Sequence, residues 1–238
     1  MAKLFAPTGR LRVSINIGNA VLANMDAATG EPTGVSVDLA RAFAQRLGVP
    51  LQLVVVKGAA ASVANVSTGK ADIGFFAVDP KRGQDINFTK PYVLIQGNYL
   101  VREGSPITDN AQVDQAGIRV AVSRGSAYDL FLTRALHKAS IVRLPISDAV
   151  PAFQQDGLDV VAGIKTVLET HAGQGSGLRL LPQPFMTIRQ AMGVPKAKGA
   201  DAAAFLSRFV EDEKTSGFVA TSLSQHHISG ATVAGAND

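Results

Sequence analysis

Between Leu11 and Phe76 the chain switches repeatedly between two hydrophobic periods, and that switching restricts it to one class of fold. Leu11, Val13, Ile15 and Ile17 alternate with Arg12, Ser14 and Asn16, the period of a strand. A turn-rich loop follows over 24–34. Val37, Ala40, Phe43, Ala44 and Leu47 then fall at helical spacing, and Gly48 is placed to stop that helix. Leu51–Val56 is an apolar, β-branched run that reads as a buried strand. The small residues of 59–68 form a helix ending at Gly69, and Ile73–Phe76 is a third strand. Strand, helix, strand, helix, strand implies a parallel sheet with crossover helices.

The alternation restarts further on. Strands are expected over 118–122, 141–144, 158–162 and 178–181, with helices over 127–136, 149–155 and 164–172. Between the two series, Arg102-Glu103-Gly104-Ser105-Pro106 is a turn-rich break. After the second series come an apolar strand over 191–194, a helix near 201–215 with Ala204, Phe205, Phe209 and Val210 on one face, and a helical turn around 218–223. Crossings near 102 and 190 give an α/β chain of two lobes, each a sheet flanked by helices. Residues 1–102 plus 191–238 form lobe 1 and 103–190 form lobe 2. That order makes a hinged clamp. The Gly/Ala-rich tail after Ser229 reads as disordered.

Composition excludes several functions. The chain is 46% apolar and 18% charged, which is globular rather than disordered. No apolar run approaches the roughly 20 residues that span a bilayer. Without cysteine there is no disulfide or thiolate metal site. The net charge of +4 comes from 23 Lys and Arg spread along the chain, with no basic stripe and no interleaved aromatics, so nucleic acid is not an expected partner. The N-terminus, MAKLFAPTGRLRV, lacks the apolar segment of a secretory leader. Either a leader lies outside this sequence or the protein stays in the cytoplasm.

The stretch most suggestive of a ligand is Gly69–Tyr92. A short strand leads into the polar loop Asp79-Pro80-Lys81-Arg82-Gly83, and Asn87–Tyr92 then reads as a turn. In open α/β sheets, ligands bind just past the carboxyl ends of the strands. Arg82 stands there, and its planar fork of donors suits a carboxylate. A solvated loop charge is the plainer alternative.

The stretches GVSVDLARAFAQRLGV (34–49), STGKADIGFFAVDPKRGQDINFTKPY (67–92) and YLVREGSPI (99–107) resemble the type II periplasmic solute-binding proteins, family 3, of amino-acid ABC importers. Weaker likeness extends over 120–132 and 157–169, so it covers nearly the whole chain from Leu11 to about Leu223. The resemblance implies that Arg82 clamps a ligand carboxylate. It also implies that the helix opening after Arg124-Gly125-Ser126-Ala127 offers backbone N–H groups to it, as a helix N-terminus can. Ser126 adds a hydroxyl there or serves as the helix N-cap.

Departures from the family pattern bear on the ligand. Phe75 and Ala77 stand where the family has Gly and Thr; Phe75 narrows the cleft or belongs to the core. The acid that the family pairs with a ligand ammonium is missing, and Gly163-Ile164-Lys165 stands there instead. The aromatic walls are missing near Asn19 and Ala59, so Asn16 and Asn19 offer polar contacts or simply make turns.

The expected function is therefore hinged-cleft binding of a small carboxylate-bearing ligand, an amino acid or related organic acid. The protein would be the monomeric, non-enzymatic, periplasmic component of an ABC importer, with a membrane permease as partner and no cofactor or metal. Because the acid is missing and Lys165 is present, a standard α-amino acid in its usual pose is not expected. The alternatives are an enzyme on the same scaffold, like the relatives that dehydrate prephenate or arogenate, and a sensory ligand-binding module.

Overall fold

The computed structural model describes residues 1–145, 149–173 and 175–238. Two compact units form, one of residues 1–94 and 189–238, the other of 95–188.

The first unit begins with a short helix α1 (Ala2–Phe5), then the strand β1 (Leu11–Asn16). A small hairpin of β2 (Asn24–Met25) and β3 (Pro32–Thr33) fills the expected loop. Helix α2 (Val35–Leu47) ends where Gly48 takes a left-handed φ of 66°, a conformation cheap only for glycine. Strand β4 (Leu51–Val56), helix α3 (Ala59–Ser67) and strand β5 (Ile73–Ala77) complete the series. β4, β1 and β5 pair in parallel with β1 central. Leu11, Val13 and Ile15 are wholly buried. Ser14, on the face expected to be polar, is buried too, because α3 covers it: Ser62 Oγ donates to Ser14 Oγ at 2.9 Å.

Two expectations fail here. Leu51–Val56 is a strand but an edge one, paired with β1 alone among the described residues and largely half-exposed; Val55 is 38% exposed. An apolar run reports β character, not how many neighbours the strand acquires. Residues 87–92 are not a turn. They belong to the long strand β6 (Ile86–Arg102), whose Phe, Thr and Tyr are good strand formers. The chain passes into the second unit inside β6, between Leu94 and Ile95, rather than at the turn after Arg102. The reason is a change of partner within one strand, since from Gly97 to Leu100 β6 pairs with a strand of the second unit.

That unit holds β7 (Arg119–Ser123), α4 (Ala127–Ala135), β8 (Ser140–Leu144), α5 (Ala149–Gln155), β9 (Val160–Ile164), α6 (Lys165–Glu169) and β10 (Leu178–Leu180). β8, β7 and β9 are parallel, and β6 runs antiparallel to β9 and β10. Tyr99, Val101, Val120, Val122 and Val160 form a core on one side of the sheet; Leu100, Ala121, Phe153, Val161 and Leu168 form one on the other.

Strand β11 (Met186–Pro195) returns the chain to the first unit and pairs antiparallel with β5. Helix α7 (Gly199–Thr215) buries Phe209 and Val210 as expected, but Ala204 is exposed and Phe205 half-buried, and Ala202 and Leu206 complete the apolar face instead. Phe5, Phe43, Phe205 and Phe209 pack ring to ring, Phe5 meeting Phe43 edge-on at 4.9 Å. Helix α8 (Phe218–Gln225) follows. The tail is ordered, contrary to its composition. Strand β12 (Ala231–Val233) pairs with β6, Ala234 N–H donates to Tyr92 C=O, and Lys90 Nζ donates to Ala236 C=O at 2.7 Å. Strand addition relies on backbone groups, which a side-chain reading does not weigh.

Asp114 caps the turn after α4, accepting the N–H groups of His137, Lys138 and Ala139 at 2.7–3.1 Å. The bonds from Ala139 and Lys138 hold its pKa down from 3.8 to about 2. Folding thus favours the carboxylate. The contribution is complete above the ordinary carboxylate range and is lost as the pH falls through that interval. In urea titrations between about pH 5 and pH 2, Asp114→Asn should remove part of the wild-type decline in stability; an identical decline would contradict this role.

Candidate functional site

Parallel pairing brings the carboxyl ends of β1, β4 and β5 to one edge of the first unit. Asn16, the last residue of β1, holds that edge together. Its Oδ1 accepts Gly18 N–H at 2.9 Å and Gly58 N–H at 2.7 Å, tying the loop after β1 to the start of α3. The side chain is engaged as a turn residue. Asn19 lies in the same loop. Its backbone C=O accepts Leu22 and Ala23 N–H, and its Oδ1 is buried without a hydrogen-bond partner.

Arg82 opens a 3-10 turn (Arg82–Gln84) just past β5 and is 5% exposed. Its Nη1 donates to Ala77 C=O, the last residue of β5, at 3.1 Å. The loop folds back on itself, and the guanidinium lies at the carboxyl end of the strand. Asp79 shapes it, accepting Lys81 N–H with its side chain and Gly83 N–H with its backbone. Burial pulls the Arg82 pKa below its ordinary value, and the Asp79 carboxylate opposes that shift. Phe75 is 7% exposed and meets Tyr92 edge-on at 5.8 Å, a core position. So Ala77 and Arg82 are brought into direct contact, whereas Phe75 packs inward.

In the second unit, Ser126 is the N-cap of α4, its Oγ accepting Asp129 N–H at 3.0 Å. Of the two roles open to it, the structure displays the cap. Ala127 begins the helix, and first-turn N–H groups of a helix have no intrahelical acceptor. Lys165 begins α6, 42% exposed, with Nζ 3.9 Å from Glu169. Gly163 lies within β9, where an added Cβ would come within 3.1 Å of the Leu168 side chain. Among the described residues of this corner, Thr166 Oγ1 is buried without a partner, a polar atom the sequence reading did not single out. Asp129 was missed as well. It is 3% exposed and bound by Arg143, and its only signal in the sequence is an acid in the first turn of a helix.

The histidines form no site with these residues. His137 and His171 are exposed, and His137 lies beyond the end of α4 rather than on it. His226 Nε2 is 2.7 Å from Asp38 Oδ2. No grouping of His, Asp or Glu suited to a metal occurs among the described residues.

Residues 11–222 match the profile of the bacterial extracellular solute-binding proteins, family 3. The chain belongs to that family. Solved structures share its fold. A solute receptor for L-cysteine from Neisseria gonorrhoeae is 21% identical, with 94% of this chain and 92% of that one covered and a TM-score of 0.79. A substrate-binding protein of an amino acid ABC transporter from Streptococcus pneumoniae, bound to L-arginine, is 20% identical, with coverages of 94% and 97% and a TM-score of 0.77. An ancestral amino acid-binding protein, a precursor of cyclohexadienyl dehydratase, is 20% identical, with coverages of 96% and 99% and a TM-score of 0.76. Among curated proteins, membrane-bound lytic murein transglycosylase F 1 of Alkalilimnicola ehrlichii is 31% identical over 123 residues. That match takes in 51% of this chain and spans 24% of the relative's length.

Asn16→Ala should leave the Gly18 and Gly58 donors unpaired and cost the first unit about 1–3 kcal/mol in urea unfolding. An unchanged midpoint would mean that Asn16 does not hold the strand-end loops.

Proposed function

We propose that this family 3 protein is the solute-binding component of an ABC importer. It works as a monomer in the periplasm and delivers a small carboxylate-bearing molecule, an amino acid or related organic acid, to a membrane permease. The observation that carries this reading is Arg82, a buried guanidinium held at the carboxyl end of a parallel strand. That is where open α/β sheets take ligands. A guanidinium already withdrawn from water can pair with a carboxylate without a further large desolvation cost. The first turn of α4 in the second unit, with its N–H groups and N-terminal partial charge, is the other element assigned to an anion.

The ligand's remaining groups meet a different chemistry. Gly163 and Lys165 replace the acid expected at the β9–α6 junction, so no carboxylate there matches an α-ammonium. The Thr166 hydroxyl suits a neutral polar group. An organic acid, or an amino acid held in another pose, fits this better than a standard pose. Binding rather than catalysis is assigned, because His226 is engaged with Asp38 and Thr33, and His137 and His171 are exposed on the surface.

A ligand-sensing module is the second reading. Its support is the match to a stretch of a longer membrane-bound protein.

Calorimetric titration of Arg82→Ala and Arg82→Lys with a panel of L-amino acids and short organic acids tests the assignment. Against a carboxylate that binds the wild type, Ala should lose about 100-fold or more in affinity, and Lys should recover only part of it. Equal affinity in the Ala variant would remove Arg82 from the site.

A further inference from the structure

The donors at the start of α4 are not all available. Gly125 N–H is taken by Asp129 Oδ2 at 2.8 Å, Ser126 N–H by Ser123 C=O at 3.1 Å, and Asp129 N–H by Ser126 Oγ. Among the described residues, the turn's remaining donors are the N–H groups of Ala127 and Tyr128. Beside them lies a carboxylate of the protein's own, the 3% exposed Asp129.

A buried acid in this turn has two opposed effects. It shapes the loop by gripping Gly125. Its negative charge also opposes any second anion brought to the neighbouring N–H groups. Arg143, projecting from β8, offsets that charge. Its Nε donates to Asp129 Oδ1 at 2.8 Å and its Nη2 to Thr133 Oγ1 at 2.7 Å. Thr133 Oγ1 donates in turn to Asp129 C=O at 2.7 Å. Arg124 Nη2 donates to Arg143 C=O at 3.3 Å, so the loop, the strand end and the helix start are linked.

We propose that Asp129 and Arg143 are the positioning pair that sets the affinity of α4's first turn for a ligand carboxylate: Asp129 fixes the loop, and Arg143 cancels the charge that would otherwise repel the ligand. This rests on the reading that the turn receives a carboxylate. The pair touches no ligand atom. It acts through the Ala127 and Tyr128 N–H groups.

The prediction is one of sign. Asn at 129 keeps an oxygen for Gly125 N–H and drops the negative charge, so carboxylate affinity rises even where stability falls. Gln at 143 leaves Asp129 uncompensated, so affinity falls. Wild type, D129N, R143Q, R143K and D129N/R143Q are titrated calorimetrically with a panel of L-amino acids and short mono- and dicarboxylic acids, with a thermal melt for each. For a carboxylate that binds the wild type, D129N should bind about threefold to tenfold tighter and R143Q about tenfold weaker, while R143K and the double variant stay within about threefold of wild type.

A role confined to holding the fold predicts instead that affinity drops in every variant alongside melting temperature. Weaker or unchanged binding in D129N, or a double variant no better than R143Q, overturns the proposal. If D129N does not fold, equal losses in R143Q and R143K overturn it. A wild type that takes no carboxylate from the panel sinks the carboxylate reading and this proposal with it, whereas normal wild-type binding with indifferent variants sinks this proposal alone.

Discussion

Parallel pairing of β4, β1 and β5 is the constraint on which the first unit depends. Parallel strands need crossover helices, and those helices bury Ser14 as completely as Ile15. The same register sends all three strands toward one edge. There Asn16 ties two loop starts together and Arg82 hooks back onto Ala77. Every residue with a claim to ligand contact in this unit gets its place from that edge.

The second unit repeats the arrangement with different side chains. β8, β7 and β9 are parallel, α4 begins after the short turn Arg124-Gly125-Ser126 that follows β7, and α6 begins directly after β9. The start of α4 is polar and internally bonded, through Ser126, Asp129 and Arg143. The start of α6 carries Lys165, with Nζ 3.9 Å from Glu169. On the proposed reading, these features keep a place for a carboxylate and change what surrounds it.

Much of this was legible in the chain itself. The period-two pattern located β1, helical spacing located α2, a small-residue run located α3 and a short apolar run located β5, and Gly48 stopped α2 as its left-handed φ requires. The place of Arg82 just past a strand end was readable from the polar loop that follows β5. What escaped depended on neighbours. The half-exposure of Leu51–Val56 follows from its place at the sheet edge, and the change of unit inside β6 from a swap of partners along one strand. The ordered tail hangs on backbone bonds to β6. Phe75 resolves as core only once Tyr92 is seen against it, and Asp129 matters only once Arg143, from another strand, meets it.

Carboxylate recognition is the central claim, and comparing each acid with its own amide isolates it. A ligand that binds only the folded state raises the melting temperature. In a thermal-shift series of small organic acids and amino acids paired with the corresponding primary amides, at least one acid should raise the melting temperature while its amide does not. Equal shifts from acid and amide, or no shift from any acid, would contradict the account.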